Sequence, residues 1–185
     1  MITLRKGTKE DAPFIAQMIM TALHLDYKAD ERLYGQIVRL VKDDMTLYSW
    51  HRCVLAVDGE TCAGLCLAYD AKDYHERRVR SFTMPYEDGG TLGEEDRSLL
   101  EQEDEAGEGE FYIDSLAVAP EYRKQGTGRV LMLDAINRGK ELGLSPTLLV
   151  DPENLGAVRL YSSLGFRYKR DMFAFGQTYH KYHYQ

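Results

Sequence analysis

The chain lacks a basic excess, a long apolar run and all but a few cysteines. Its 23 Lys and Arg stand against 30 Asp and Glu, a formal net charge of −7. That balance argues against nucleic acid held on a basic face. No apolar stretch approaches the length of a membrane span, so no membrane partner is expected. The opening residues, Met1 to Gly7, contain no apolar h-region, and no secretion signal is expected. The three cysteines, Cys53, Cys62 and Cys66, are an odd number in no metal or redox spacing. They read as free thiols in a reducing cytoplasm. A Cys62–Cys66 metal pair has no second pair of ligands beside it. His180 and His183 fall in one strand-like stretch at a spacing that points them to opposite sides, so no metal is expected there either. No internal repeat is visible.

What is present is enough for one domain, or one domain with an insertion: 185 residues, 44% of them hydrophobic. The charge is uneven. Residues 71–110 hold 13 acids and 5 bases, a local net of −8 that leaves the rest of the chain at +1. The acids crowd into Glu94-Glu95-Asp96 and into 101–110, with glycines at 89, 90, 93, 107 and 109. This stretch reads as an acidic insertion at about 71–109, a mobile surface segment with a short helix around 96–105.

Around it the pattern alternates between strand and helix. Residues 2–5 form a first strand. Residues 8–25 have helical spacing, with Phe14, Ile15, Met18, Ile19 and Leu23 on one face, Thr8 and Asp11 as a capping signal and Pro13 in the first turn. Leu33, Ile37, Val38 and Val41 mark a second helix. Two apolar strands, 52–57 and 62–69, flank Asp58-Gly59, a hairpin signal in a loop slightly longer than two residues. Trp50 anchors the start of the first. A strand at 111–118 is followed by a helix over 128–142, with Val130, Leu133 and Ile136 on one stripe and Gly143 as its stop. A buried strand at 147–150, a helix over 154–164 ending at Gly165, and closing strands at 166–168 and 178–184 complete a mixed α/β sheet.

The stretch from Val118 to Arg129 carries the most information. It joins a strand to a helix through Gly126 and Gly128, which allow a tight turn and close approach to a ligand. The free N–H groups and dipole of the helix start add partial positive charge, and Arg123, Lys124 and Arg129 add full charges. Such a turn suits a phosphate or pyrophosphate. It is not a Walker loop, because Gly128 is followed by Arg129-Val130 rather than Lys-Ser/Thr. Nor is it the dinucleotide fingerprint, because Leu131 stands where a third glycine is needed. Two glycines alone also describe a plain strand-to-helix junction.

A second motif follows at Asn154-Leu155-Gly156-Ala157-Val158-Arg159-Leu160-Tyr161-Ser162-Ser163-Leu164-Gly165-Phe166. Together with Arg123-x-x-Gly126-x-Gly128, it closely resembles the coenzyme A-binding half of GNAT-superfamily N-acetyltransferases. The resemblance covers about residues 110–170. The order of elements over the first 70 residues is compatible, but no motif identifies them. It implies a single GNAT-like α/β domain over 1–185, with a mixed, mostly antiparallel central sheet, a parallel splayed strand pair and flanking helices. It also implies acetyl-CoA as co-substrate, lying in a V between strands 111–118 and 147–150. Backbone groups of Leu116, Ala117 and Val118 would pair with the pantetheine arm. The N–H groups of Lys124, Gln125, Gly126, Thr127, Gly128 and Arg129 would hold the pyrophosphate, with Arg123 beside them. Asn154 would bond the pantetheine or shape the turn, and it suits a helix N-cap in either case. Ala157 would be small to let the cofactor pass. Tyr161 would bring its hydroxyl near the thioester sulfur and donate to the departing thiolate; otherwise it is a half-buried tyrosine on a helix face. Leu164 and Phe166 belong to the core.

The implied reaction is direct attack of a neutral amine on the thioester. An alkylamine of pKa ~10.4 is mostly protonated at neutral pH, so a group must accept its proton. One common family position for that carboxylate, five residues before the Asn, is Leu149 here. Asp114 is the best substitute, on the strand face it shares with Tyr112; the alternative is a structural partner for a turn or an arginine. Glu110 is a weaker candidate. If the acidic segment lines the acceptor cleft, it favours a cation: a small-molecule amine, or a basic peptide N-terminus or lysine, with Tyr27, Tyr34, Tyr74 and Tyr86 as candidate walls. The competing class is a noncatalytic CoA or acyl-CoA sensor, to which the missing carboxylate at Leu149 lends weight. Acylation of a hydroxyl and a longer acyl group remain open, as do monomer and homodimer.

Overall fold

A computed structural model describes residues 1–87 and 89–185, the Glu95 side chain excepted. Asp88 and that side chain both belong to the acidic segment, and the expectations placed on them lie outside the described residues. The strands are β1 (Ile2–Lys6), β2 (Cys53–Asp58), β3 (Thr61–Asp70), β4 (Glu110–Val118), β5 (Ser145–Val150), β6 (Phe166–Ala174) and β7 (Gln177–Tyr184). The helices are α1 (Ala12–Ala22), α2 (Glu31–Lys42), α3 (Tyr74–Thr83), α4 (Glu94–Glu101), α5 (Thr127–Glu141) and α6 (Leu155–Leu164). The seven strands are hydrogen-bonded in the order β1-β2-β3-β4-β5-β7-β6. The pairs β1–β2, β2–β3, β5–β7 and β6–β7 are antiparallel, and β4–β5 is parallel. This is the mixed α/β architecture with one parallel pair that the resemblance implies. Among the described residues, no helix is long and apolar enough to cross a membrane.

The chain forms two compact units. The first comprises Met1–Ala68 and Asp114–Ala135. Here α1 is entered through a capping box between Thr8 and Asp11. Arg5 holds the Asp11 carboxylate in a two-pronged pair at 2.6 and 2.7 Å. That hydrogen bonding keeps the Asp11 carboxyl below its ordinary range, against the opposing effect of burial. The helix buries Ile15, Ala16, Met18 and Ile19 but stops at Ala22. Leu23, expected on the buried face, is 43% exposed. The cause is His24, whose φ of 58° breaks the helical run before Leu25. The β2–β3 hairpin is tighter than expected: Asp58 pairs with Thr61, so the loop is Gly59-Glu60 alone. Trp50 opens the 3-10 turn Trp50–Arg52 that leads into β2, and it donates to Asp44.

The α5 stripe also differs from its expected phase. Leu131, Met132, Ala135 and Ile136 are buried, while Val130 and Leu133 are each 41% exposed. Four consecutive apolar residues, 130–133, make two helical stripes equally apolar, and spacing alone cannot choose between them.

The second unit comprises Tyr69–Ile113 and Ile136–Gln185. Within the segment expected to be mobile, two stretches are helical. The helix α3 buries Tyr74, Arg78 and Ser81, and α4 covers Glu94–Glu101 rather than 96–105. Arg78, 4% exposed, explains the earlier stop. Its guanidinium donates to the carbonyls of Leu99 and Gln102 and to Asp104. The chain leaves the helix extended at Gln102. The strand β6 also outruns its expected end at 168. It pairs with β7 from Phe166↔Tyr184 to Ala174↔Gln177, with a register shift between Tyr168 and Arg170. Phe166 stacks edge-on against both Tyr161 and Tyr184, and Leu164 and Phe166 are core residues as expected.

Candidate functional site

In the first unit, β4 from Ile113 onward alternates buried and half-buried residues. Asp114, Leu116 and Val118 therefore share one face, and Ser115 and Ala117 the other. The strand passes through a 3-10 turn at Pro120–Tyr122 into Arg123, Lys124, Gln125 and Gly126, all exposed. Lys124 sits at φ 58° and Gly126 at φ 86°. A Cβ at Gly126 would meet nothing within 4 Å, so glycine is needed there for its conformation and not for room.

Polar side chains hold the turn by bonding back onto its own backbone. Arg123 Nε donates to Val118 O at 2.9 Å, Gln125 Nε2 to Glu121 O at 2.7 Å, and Thr127 Oγ1 to Tyr122 O at 3.2 Å. Val130 N bonds Gly126 O to close the first turn of α5. That leaves the N–H groups of Thr127, Gly128 and Arg129 in the positions a helix cannot satisfy internally. The helix dipole and the cations of Arg123, Lys124 and Arg129 give this turn a chemistry that suits an anion. One backbone group that the resemblance assigns to the pantetheine arm, Val118 O, already accepts from Arg123.

Asp114 is half-buried and accepts from Ser115 Oγ at 2.9 Å. It is therefore a carboxylate with an oriented neighbour.

In the second unit, Asn154 caps α6: its Oδ1 accepts from Ala157 N at 3.1 Å. Its side-chain NH2 group remains to donate outward. Ala157 and Tyr161 follow on the helix, both half-buried. Leu149 pairs across the ladder with Lys181. Lys181 is 6% exposed and was not singled out in the sequence. It lies 2.9 Å from Glu110 and donates to Glu105 O. His183 Nε2 lies 3.6 Å from the same Glu110. Burial pushes the His183 imidazole below its ordinary value, with Glu110 opposing that shift. Glu110, the weaker candidate for a base, is thus the anion of a buried pair.

Many acids of the 71–110 segment have partners within this unit. Asp73 pairs with Arg77, Glu87 with Arg80, Glu103 with Arg170, and Asp104 with Arg78 and His75. Glu105 accepts from Tyr112, and Asp96 from Tyr86. Tyr74 packs edge-on against Tyr112. In the first unit, Tyr27 accepts from Gln17, and Tyr34 donates to Pro13 O. Glu76, Glu94, Glu101 and Glu108 lie exposed.

Comparison with known proteins adds to this geometry. The profile described as Acetyltransferase (GNAT) family matches residues 17–166. Mycothiol acetyltransferase of Thermobifida fusca is 46% identical over 59 residues, 31% of this chain and 18% of that protein. The same protein of Thermobispora bispora matches equally, over 19% of its length. The match thus spans under a fifth of either curated relative. An N-acetyltransferase structure from Staphylococcus aureus Mu50 aligns with TM-score 0.79 at 18% identity, covering 98% of this chain and 99% of that one. A PaiA N-acetyltransferase of Thermoplasma acidophilum, solved in complex with coenzyme A, aligns with TM-score 0.57 at 15% identity, covering 100% and 99%. At these identities the two structures speak for the fold.

Proposed function

The chain belongs to the GNAT family of acetyltransferases, and on that premise we propose that it is an acetyl-CoA-dependent N-acetyltransferase. The acetyl group passes to an acceptor amine, on a small molecule or on a peptide, by direct attack on the thioester. The observation that carries the reading is the turn at Arg123 to Gly128. Its side chains bond inward, its N–H groups open a helix, and its glycine adopts a φ suited to that turn. The chemistry of this turn fits a pyrophosphate. The three free thiols, Cys53, Cys62 and Cys66, accord with a cytoplasmic setting.

Acetyl-CoA supplies an activated acetyl thioester. The N–H groups of Lys124 to Arg129 hold its pyrophosphate, with Arg123, Lys124 and Arg129 as counter-charges. Leu116, Ala117 and Val118 offer backbone groups to the pantetheine arm. The Asn154 NH2 group donates to the same arm while Oδ1 stays on Ala157 N. Ala157 keeps the passage clear. The acceptor amine, of pKa ~10.4, is neutral in only about one molecule in a few thousand at pH 7. Asp114 accepts the proton released as the C–N bond forms, directly or through water. Tyr161 donates to the sulfur as the C–S bond breaks.

Calorimetric titration with acetyl-CoA, beside Gly126→Asp, tests the binding half. Aspartate is among the residues that best tolerate positive φ, and the space there is open, so the variant folds while opposing the pyrophosphate. Micromolar binding lost in the variant is the expected result. An amine panel then reads thiol release, and Tyr161→Phe is expected to lower kcat about 100-fold or more at unchanged acetyl-CoA affinity. Binding without turnover on any amine favours a noncatalytic acyl-CoA sensor instead. That second reading draws on Leu149 in the common carboxylate position and on Glu110 being committed to Lys181. No binding by the unmodified protein overturns both readings.

A further inference from the structure

The strand β3 is irregular where it meets the end of β4. Ala56 pairs with Gly64 and Val57 with Cys62, so Ala63 is an extra residue in the ladder with β2, a β-bulge. Its carbonyl accepts from Ala119 N at 2.9 Å. At the next residue, a Cβ on Gly64 would lie 2.9 Å from Ala117 O, 3.3 Å from Leu131 Cδ1 and 3.4 Å from Val118 Cα. The Leu131 methyl can give way, but the Ala117 carbonyl cannot do so without moving its strand. Gly64 does not occupy the left-handed region. Glycine stands there because another backbone comes too close for a side chain.

We infer that Gly64 is a positioning residue for cofactor binding. The bulge at Ala63 and the missing side chain at Gly64 let β3 hold Ala117, Val118 and Ala119 at one height. The backbone edge offered to the pantetheine arm depends on that height, whereas the turn after Pro120 is held by its own side-chain bonds. Gly64 touches no substrate and acts through the Ala117 carbonyl. The inference rests on the acetyl-CoA reading above, and it names what sets the reach between the two ends of the cofactor in this chain.

The test compares two ligands on two variants. Acetyl-CoA uses both the strand edge and the turn, whereas 3′-phosphoadenosine 5′-diphosphate, its nucleotide part with both phosphates of the pyrophosphate, uses the turn alone. In Gly64→Ala the Ala117 carbonyl is displaced. Acetyl-CoA is expected to bind about five- to tenfold more weakly, the order of one lost hydrogen bond, with the affinity for the nucleotide held. In turnover, KM for acetyl-CoA rises by the same factor while kcat changes little. The second variant, Ala119→Pro, removes the donor to Ala63 O. It suits the φ of −56° at Ala119, so it reads the same device without a new contact at Gly64 and decides the matter if Gly64→Ala does not fold. Equal loss of both ligands, as general loosening would give, overturns the inference, and so does unchanged affinity for both. If the unmodified protein binds no acetyl-CoA, the acetyl-CoA reading itself fails, a result distinct from either.

Discussion

Two stretches that look like loops in the sequence are built in opposite ways. The turn at 120–127 is local: Arg123 reaches Val118, Gln125 reaches Glu121 and Thr127 reaches Tyr122, each within five residues. The stretch at 99–110 is long-range. Arg78 takes Leu99 O and Asp104, Arg170 takes Glu103, the Phe175 N–H takes the Gln102 side chain, and Lys181 takes Glu105 O and Glu110. In the first, side chains satisfy backbone carbonyls of the turn itself. In the second, charges are consumed by partners up to 76 residues away, and density of acids does not equal charge available to a substrate.

The comparison breaks most sharply at the buried cations. Lys181→Met leaves Glu110 partly buried without its cation, and breaking such a pair costs about 3–5 kcal/mol. Arg78→Met removes the cation shared by the Leu99 and Gln102 carbonyls and Asp104, a loss of about 2–3 kcal/mol. Gln125→Ala in the turn removes one exposed bond and is expected to stay within about 1 kcal/mol. Urea unfolding of the three variants measures the contrast, and equal losses would mean the 99–110 stretch is not held as described.

A smaller effect separates the units by pH. His183 is pushed below its ordinary value of 6.5, chiefly by burial, so the unfolded chain takes up a proton before the folded one does. The stability it contributes is complete above pH 6.5 and is lost as pH falls toward the lowered value. Asp11 is held below 3.8 by Arg5, so its contribution is complete above pH 3.8 and is lost only in stronger acid. Unfolding midpoints of His183→Gln are expected to fall less between pH 7 and 5 than those of the unmodified protein. Asp11→Asn leaves that interval unchanged and flattens the decline below pH 4.

What could be read in advance follows the same division between local and long-range bonds. The Thr8–Asp11 box, the Asp58-Gly59 turn, the Asn154 cap and the Gly126 turn are legible because each is decided within a few residues. The helix α3 is not. Its buried face is Tyr74, Arg78 and Ser81, at helical spacing but with a charge and a hydroxyl where an apolar stripe is sought. Nor is the far half of β6, where polar Arg167 to Asp171 and a register shift hide a strand paired with β7. Lys181 carries no local signal, because what marks it is Glu110, 71 residues away. Gly64 looks like any strand glycine until Ala117 is seen against it.

The smallest expected effect bears most on the acceptor. If acids near the acceptor steer a cation, exposed ones such as Glu76, Glu94, Glu101 and Glu108 do so, rather than the paired Glu103 and Asp104. Exposed charges act over a Debye length of about 10 Å at 0.1 M salt and fade above that ionic strength. Replacing the four by glutamine is expected to raise KM for a cationic amine about two- to fivefold at low salt, and to leave it unchanged near 0.5 M. Glu103→Gln is the control, because Arg170 already neutralises it. A KM that follows the paired acid as strongly as the four exposed ones would show that the ion pairs open in solution. A KM indifferent to all of them would place the acceptor site away from the acidic segment.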